Sequence, residues 1–282
     1  MRGRLAAAVW CLLVATAAWG QQGDLLGRAS LVVRGGGATY VGDINEQSLF
    51  GQVRPAAGVG VKVRLDNRWS VRLDGMYGTL SQTRDWQPER NLGFRTRLVE
   101  GSLAAEFNFR PYGGGSTDYQ WTPYLFGGVA LFHFNPKAQY ADPHGDTSWV
   151  ALQPLCTEGQ GTTAYPDRLP YTLTQVSMPF GMGVKVRLGK TVEISAEYGL
   201  RRTWTDYLDD VSTTYVGSIL LEAEVDDGRL AAQMADRGAA AHVAGIKRGD
   251  DSLDDWYTYF NVSVSVSMDA LFGWMRSKRC RN

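Results

Sequence analysis

The stretch TWTDYLDDVSTTYV, residues 203 to 216, sets three carboxylates, Asp206, Asp209 and Asp210, between aromatic rings and a run of hydroxyls. Two kinds of chemistry suit such a grouping. Several carboxylate and carbonyl oxygens hold a calcium ion, and positioned carboxylates move protons. The spacing departs from the Asp-x-Asp/Asn-x-Asp/Asn-Gly loop of an EF-hand, so the pattern specifies neither. A second acidic run, Asp250, Asp251, Asp254 and Asp255, lies farther along, and Arg201, Arg202 and Arg248 can reach the same region. The simpler reading is a rim cluster of Asp206, Tyr207, Asp209 and Asp210, wetted by solvent or joined to those arginines and holding no metal. His133, His144 and His242 are the three histidines. His133 ends an apolar stretch and is the one candidate for a lipid-modifying Ser/His/acid site, but no serine spacing marks a nucleophile beside it. These residues specify no catalytic group and no cofactor.

What would position them is a set of strands. In AGVGVKVRL, residues 57 to 65, odd positions are apolar and even ones are Gly or basic. The same period of two, the mark of a strand with two unlike faces, recurs at 69–77, 99–109, 180–188, 192–201 and 260–266. Residues 30–41 and 121–134 are less regular strands, with Gly runs or apolar residues on both faces. The count is about eight, most about ten residues or longer, which suits a tilted membrane-spanning strand better than a soluble one. Short connections at 66–68, 110–120 and 189–191 alternate with long ones near 42–52, 81–95, 135–171 and 205–255. That alternation predicts an antiparallel up-and-down transmembrane barrel with short periplasmic turns and long extracellular loops.

With the apolar parity facing lipid, Lys62, Arg64, Arg72, Lys185, Arg187 and Arg201 point inward beside Asp74, Glu100, Glu106, Glu193 and Glu197. An eight-stranded barrel is wide enough only for its own side chains, so the interior should be an ionic core and not a pore. Tyr40, Trp69, Trp121, Tyr124, Phe134, Trp204, Trp256 and Tyr257 fall near strand ends and read as interfacial aromatics. In the fourth long loop, the Ala-rich run 229–241 reads as a short helix.

Composition bounds the rest. Formal net charge is +0, which gives no reason to expect a nucleic-acid partner. Arg2 and Arg4, the apolar stretch from Leu5 to Ala18, and Ala18-Trp19-Gly20 before Gln21 make residues 1–20 a signal peptide. The mature chain, 21–282, is then one exported barrel domain with a short basic tail at about 270–282. Of the 3 cysteines, Cys11 falls in the signal; Cys156 and Cys280 would lie on opposite sides of the membrane and stay unpaired.

Several stretches resemble the DUF6089 outer-membrane β-barrel family of Bacteroidota, which includes PorG-like components of the type IX secretion system. They are YVGDIN (40–45), RPAAGVGVKVRLDNRWSVRLDGMYG (54–78), EFNFRPY (106–112), TPYLFGGVALFHFNPKA (122–138), LQPLCTEGQG (152–161) and TDYLDDVSTTYV (205–216). Cys156 departs from the pattern, where a small residue such as Gly is expected. The resemblance implies a non-enzymatic accessory subunit, integral to the cell outer membrane, without a cofactor or a small-molecule substrate. Its partners would be outer-membrane lipids and a periplasmic ring of PorK- and PorN-like proteins. The one longer periplasmic connection would then offer Arg110, Pro111, Tyr112 and Tyr119 to the ring. The alternatives are a structural barrel outside any secretion machine and a lipid-modifying enzyme.

Overall fold

The computed structural model describes residues 27–45, 52–83, 87, 89–113 and 119–272. The predicted signal peptide, Cys280 and most of the basic tail lie outside them. Eight strands form the barrel: β1 (Ala29–Val41), β2 (Arg54–Arg64), β3 (Trp69–Gln82), β4 (Phe94–Asn108), β5 (Trp121–His133), β8 (Thr174–Leu188), β9 (Val192–Thr203) and β10 (Trp256–Ser267). Each pairs antiparallel with its neighbour in chain order. The first and last strands close the sheet in a register running from Ser30↔Ser267 to Val41↔Trp256. Closure leaves no open edge, the condition for a sheet to cross a bilayer.

Alternation decides which face meets which medium. Val59, Leu73, Val99, Leu103, Val129, Met182 and Val262 stand exposed around the outer wall. The intervening positions are charged or hydroxylated and buried. This is the inverse of a water-soluble barrel, and it matches an apolar band against hydrocarbon. The least regular strand, β1, carries a Gly run, and at Gly36 the backbones crowd: a Cβ there would overlap the Phe260 carbonyl oxygen.

Inside, opposite charges interlock. Arg34 Nη2 donates to Asp74 Oδ1 at 3.1 Å. Arg72 reaches Asp74, Glu106 and Glu197. Lys185 Nζ lies 2.7 Å from Glu106 Oε2, Lys62 pairs with Glu193, and Arg201 pairs with Glu100. Tyr124 and Tyr257 donate to Glu197 and Glu100 at 2.9 Å each. Removing ions from water is tolerated here because each is paired and hydrogen-bonded. A lumen so filled should show no unitary conductance in a planar bilayer; open steps of a defined size would show that the ion pairs part.

Six of the strands run farther at the long-loop end than alternation indicated: β2 from Arg54, β3 to Gln82, β4 from Phe94, β8 from Thr174, β9 to Thr203 and β10 from Trp256. There the inward positions turn apolar and are buried, as at Leu80, Phe94, Leu98 and Tyr259, because folded loops cover them. The same parity corrects the set of interfacial aromatics. Trp69, Trp121 and Trp204 do face outward, but Tyr40, Tyr124, Phe134 and Tyr257 are at most 2% exposed and belong to the interior.

The third and fourth long loops are structured. The third holds a hairpin, β6 (Lys137–Ala141) and β7 (Thr147–Ala151), and a 3-10 turn at Gln153–Leu155. β6 extends the wall by pairing Lys137 with Arg95 of β4. The fourth holds α1 (Ser218–Glu224), which alternation did not reveal, and α2 (Gly228–Ala235). The Ala-rich helix thus starts and ends earlier than expected. Leu152, Leu155, Val216, Leu221, Ala231 and Met234 pack into a second small core, so the loops form a cap over one mouth.

Candidate functional site

Chemistry-bearing groups gather at the two mouths. At the capped mouth, the segment after β9 turns inward beneath the cap. The acids there are not a wetted rim: Asp206 is 8% exposed, Asp209 1% and Asp210 0%. The Tyr40 hydroxyl lies 2.5 Å from Asp209 Oδ2 and 2.8 Å from Asp255 Oδ1. A phenol has one proton to donate, so a carboxyl must supply the proton of the second contact. Burial pushes both Asp209 and Asp255 well above the usual carboxylate range, which provides that proton. Backbone donors hold the geometry, Leu208 N on Asp255 Oδ2 at 2.8 Å and Val211 N on Asp209 Oδ1 at 2.9 Å. Asp206 is pushed up to about 9, by burial first and then by the charge of Asp209. Neither of its oxygens accepts a well-formed hydrogen bond, and Ser212 lends its ionised form only weak support.

Beside this cluster lies a salt bridge that the linear pattern only half indicated. Arg248, one of the arginines near the acidic runs, is fully enclosed, and its main partner is Glu158 from the third loop. Arg248 Nη1 donates to Glu158 Oε1 at 2.9 Å and to the Asp210 carbonyl, and Nε donates to Ala235 O at 3.0 Å. Glu158 also accepts from Ser212 N, Thr213 N and the Thr213 hydroxyl. Asp210 accepts from Thr157 Oγ1 at 2.6 Å and the Tyr171 hydroxyl at 2.7 Å, and burial raises it to about 6. Arg90 then ties in the other two loops, donating to Arg248 O and Asp43 O. Arg201 and Arg202 take no part; Arg201 belongs to Glu100 in the lumen. Tyr207 stacks on Tyr171, centroids 4.7 Å apart, and so props the cap instead of anchoring in lipid.

Glu158 and Arg90 escaped the sequence reading. Glu158 sits in LQPLCTEGQG, a stretch singled out only for its resemblance, and nothing local marks its distant partner. Cys156, two residues earlier, is a free thiol whose backbone is left-handed, φ 45° and ψ 48°. That conformation accounts for a Gly expectation there. A Cβ costs about 1–2 kcal/mol in this region, partly offset by the greater chain entropy of Gly. Cys156→Gly should therefore stabilise the cap by roughly 0.5–1 kcal/mol, read as a raised thermal midpoint.

The histidines build no acid–base relay with these groups. His133 lies outside the wall with Nδ1 3.0 Å from Thr174 Oγ1, and His242 pairs with Asp236 and stacks on Tyr215. Among the described residues, no group of three His, Cys, Asp or Glu side chains could hold a metal ion.

At the short-turn mouth, Asp66 Oδ1 accepts from the backbone of Arg68 and Trp69 and closes the first turn. The Arg110 guanidinium covers Trp121 at 3.9 Å and Tyr119 at 5.0 Å, and Tyr119 is half exposed. Pro111 accepts from Tyr119 N at 2.9 Å. Tyr112 turns inward, 5% exposed, beneath Lys185 and Arg187. A cavity of about 600 Å³ opens here, lined by Arg64, Arg187, Lys190 and the Lys62–Glu193 pair among others.

The family model described as a domain of unknown function, DUF6089, matches residues 4–148. No curated protein sequence matches the chain. Among solved structures, Neisserial surface protein A is 12% identical, with 85% of this chain and 96% of that one covered and a TM-score of 0.39. Ail of Yersinia pestis is 9% identical, covering 84% and 96%, at 0.38. OprG of Pseudomonas aeruginosa is 11% identical, covering 86% and 98%, at 0.37. Likeness at that level adds nothing to what the strand register already establishes.

Proposed function

The chain belongs to the DUF6089 family, and from that premise we propose that it is an integral outer-membrane barrel serving a type IX secretion system as a PorG-like, non-enzymatic accessory subunit. The long-loop end faces outward and the short-turn end meets a periplasmic ring of PorK- and PorN-like proteins. The observation that carries this reading is the asymmetry of the two mouths. One is sealed by a cap with its own core, and the lumen below it is filled with ion pairs. The other presents an aromatic and cationic ridge, Arg110 over Tyr119 and Trp121, on the one short connection long enough to offer a surface. Aromatic and arginine side chains held in this way are the usual anchors of protein interfaces. Export follows from the signal peptide read in residues 1–20, and no step of the role requires a cofactor.

Deleting the gene should block export of proteins carrying the system's C-terminal signal, and the barrel should co-purify with the ring proteins. Arg110→Ala combined with Tyr119→Ala should lower that co-purification by about tenfold or more. Normal export in the deletion strain, with nothing co-purified, would refute the role and favour a structural barrel. A changed lipid profile in that strain would point instead to lipid-modifying activity.

A further inference from the structure

A groove of about 450 Å³ opens in the wall where the β6–β7 hairpin leaves the barrel, lined by Arg95, Arg97, Lys137, His133, Tyr77 and Trp149 together with Val99. Arg95 and Arg97 hold the outward parity of β4, in line with Val99 and Leu103 of the apolar band. A guanidinium is costly within hydrocarbon and is tolerated at the level of the headgroups. These two arginines therefore mark that level at the capped end. Arg95 and Lys137 are direct cross-strand partners, a like-charge juxtaposition that destabilises a sheet unless an anion lies between the two. Among the described residues no acidic side chain lines the groove, and none of Arg95, Arg97 and Lys137 forms an ion pair. Trp149, with Arg95 at 5.8 Å over its ring, walls one side, and the exposed Tyr77 and Val99 continue the groove into the apolar band.

We propose that this groove binds the phosphorylated headgroup of a lipid in the surrounding leaflet. Arg95, Arg97 and Lys137 take the phosphate, and an acyl chain lies along Tyr77 and Val99. Guanidinium forks match phosphate oxygens in charge and geometry, and a cationic groove continuous with an apolar wall fits an anion that carries hydrocarbon. The site requires no role in secretion, so its test is independent of the test of that role.

The purified full-length protein is exchanged into neutral detergent with diphosphorylated lipid A, and bound lipid is counted by native mass spectrometry. One lipid should remain bound, with at least about tenfold preference over the dephosphorylated form. Combining Arg95→Gln, Arg97→Gln and Lys137→Gln should abolish that preference, whereas Lys190→Gln at the opposite mouth should leave it intact. Arg97→Gln alone, at an exposed site, should weaken retention severalfold and serves if the triple variant does not fold. Equal binding of the dephosphorylated lipid, or retention by the variants, overturns the proposal. So does full displacement by millimolar inorganic phosphate, which would assign the groove to a soluble anion.

Discussion

Arg248→Met should detach the cap from the barrel, with a loss of about 3–5 kcal/mol, the range for breaking a buried ion pair by removing one partner. Arg248 is 1% exposed, and its guanidinium joins Glu158 of the third loop to Asp210 and Ala235 of the fourth. Met fills comparable volume, so little of the effect is a cavity. What remains is the Glu158 carboxylate, 0% exposed and without its cation. The apolar wall and the luminal pairs do not touch Arg248, so the barrel should stay assembled. Limited proteolysis should cut the variant between residues 205 and 255 at concentrations that spare the wild type, and the cap's thermal transition should fall or merge with the baseline. Adding Glu158→Gln and Asp210→Asn removes the stranded charges and should restore part of the loss. A singly substituted protein as protease-resistant as the wild type would mean that the second core alone holds the cap.

Raising the pH should loosen the same cap. Asp209 and Asp255 are pushed well above the usual carboxylate range, Asp206 to about 9 and Asp210 to about 6. A carboxyl raised in the folded state binds its proton there when the unfolded chain has already released it. Between the unfolded value near 4 and the folded value, stability therefore falls as pH rises. The slope is at most about 1.4 kcal/mol per pH unit for each proton retained, and entry of water reduces it. The window lies from about pH 4 upward, with the Asp210 contribution spent near 6 and the Asp206 contribution continuing to about 9. Cap unfolding followed by tryptophan fluorescence, from pH 5 to 9, should show a steady fall. Asp206→Asn, which fixes the neutral form, should flatten the upper part of the curve. A wild-type curve that is level or rises with pH would show the acids ionised and the Tyr40 contacts differently protonated.

The barrel was legible in the chain because lipid on one side and ions on the other impose a strict period of two over β2, β3, β4, β8, β9 and β10. The same rule places Arg72, Lys185, Glu106 and Glu197 inside. Arg34 obeys that parity too, yet the surrounding glycines conceal it, since a Gly run has no faces to compare. The capped mouth was harder to read. Tyr40 and Tyr257 look like interfacial rings in a linear view, and only the continuation of parity beyond the lipid band turns them inward. Glu158 and Arg248 are 90 residues apart. Asp209 and Asp255 meet only because β9 and β10 are neighbours. No local period encodes such meetings, and a row of acids reads as solvated until something is known to cover it.

The luminal ion pairs bear on how the chain reaches its membrane. Arg72 finds Glu197 across 125 residues and Arg201 finds Glu100 across 101, each on a strand that does not adjoin its own. A partly assembled sheet therefore has charges with no acid or base to answer them, and it cannot be laid into hydrocarbon one hairpin at a time. The last strand must arrive before the interior can be dehydrated. Because a one-residue slip would turn the charges of the slipped strand outward to lipid, a misaligned barrel fails at that step. Burial of the ions is in this sense a proofreading step in biogenesis, passed only by a closed sheet in the correct register.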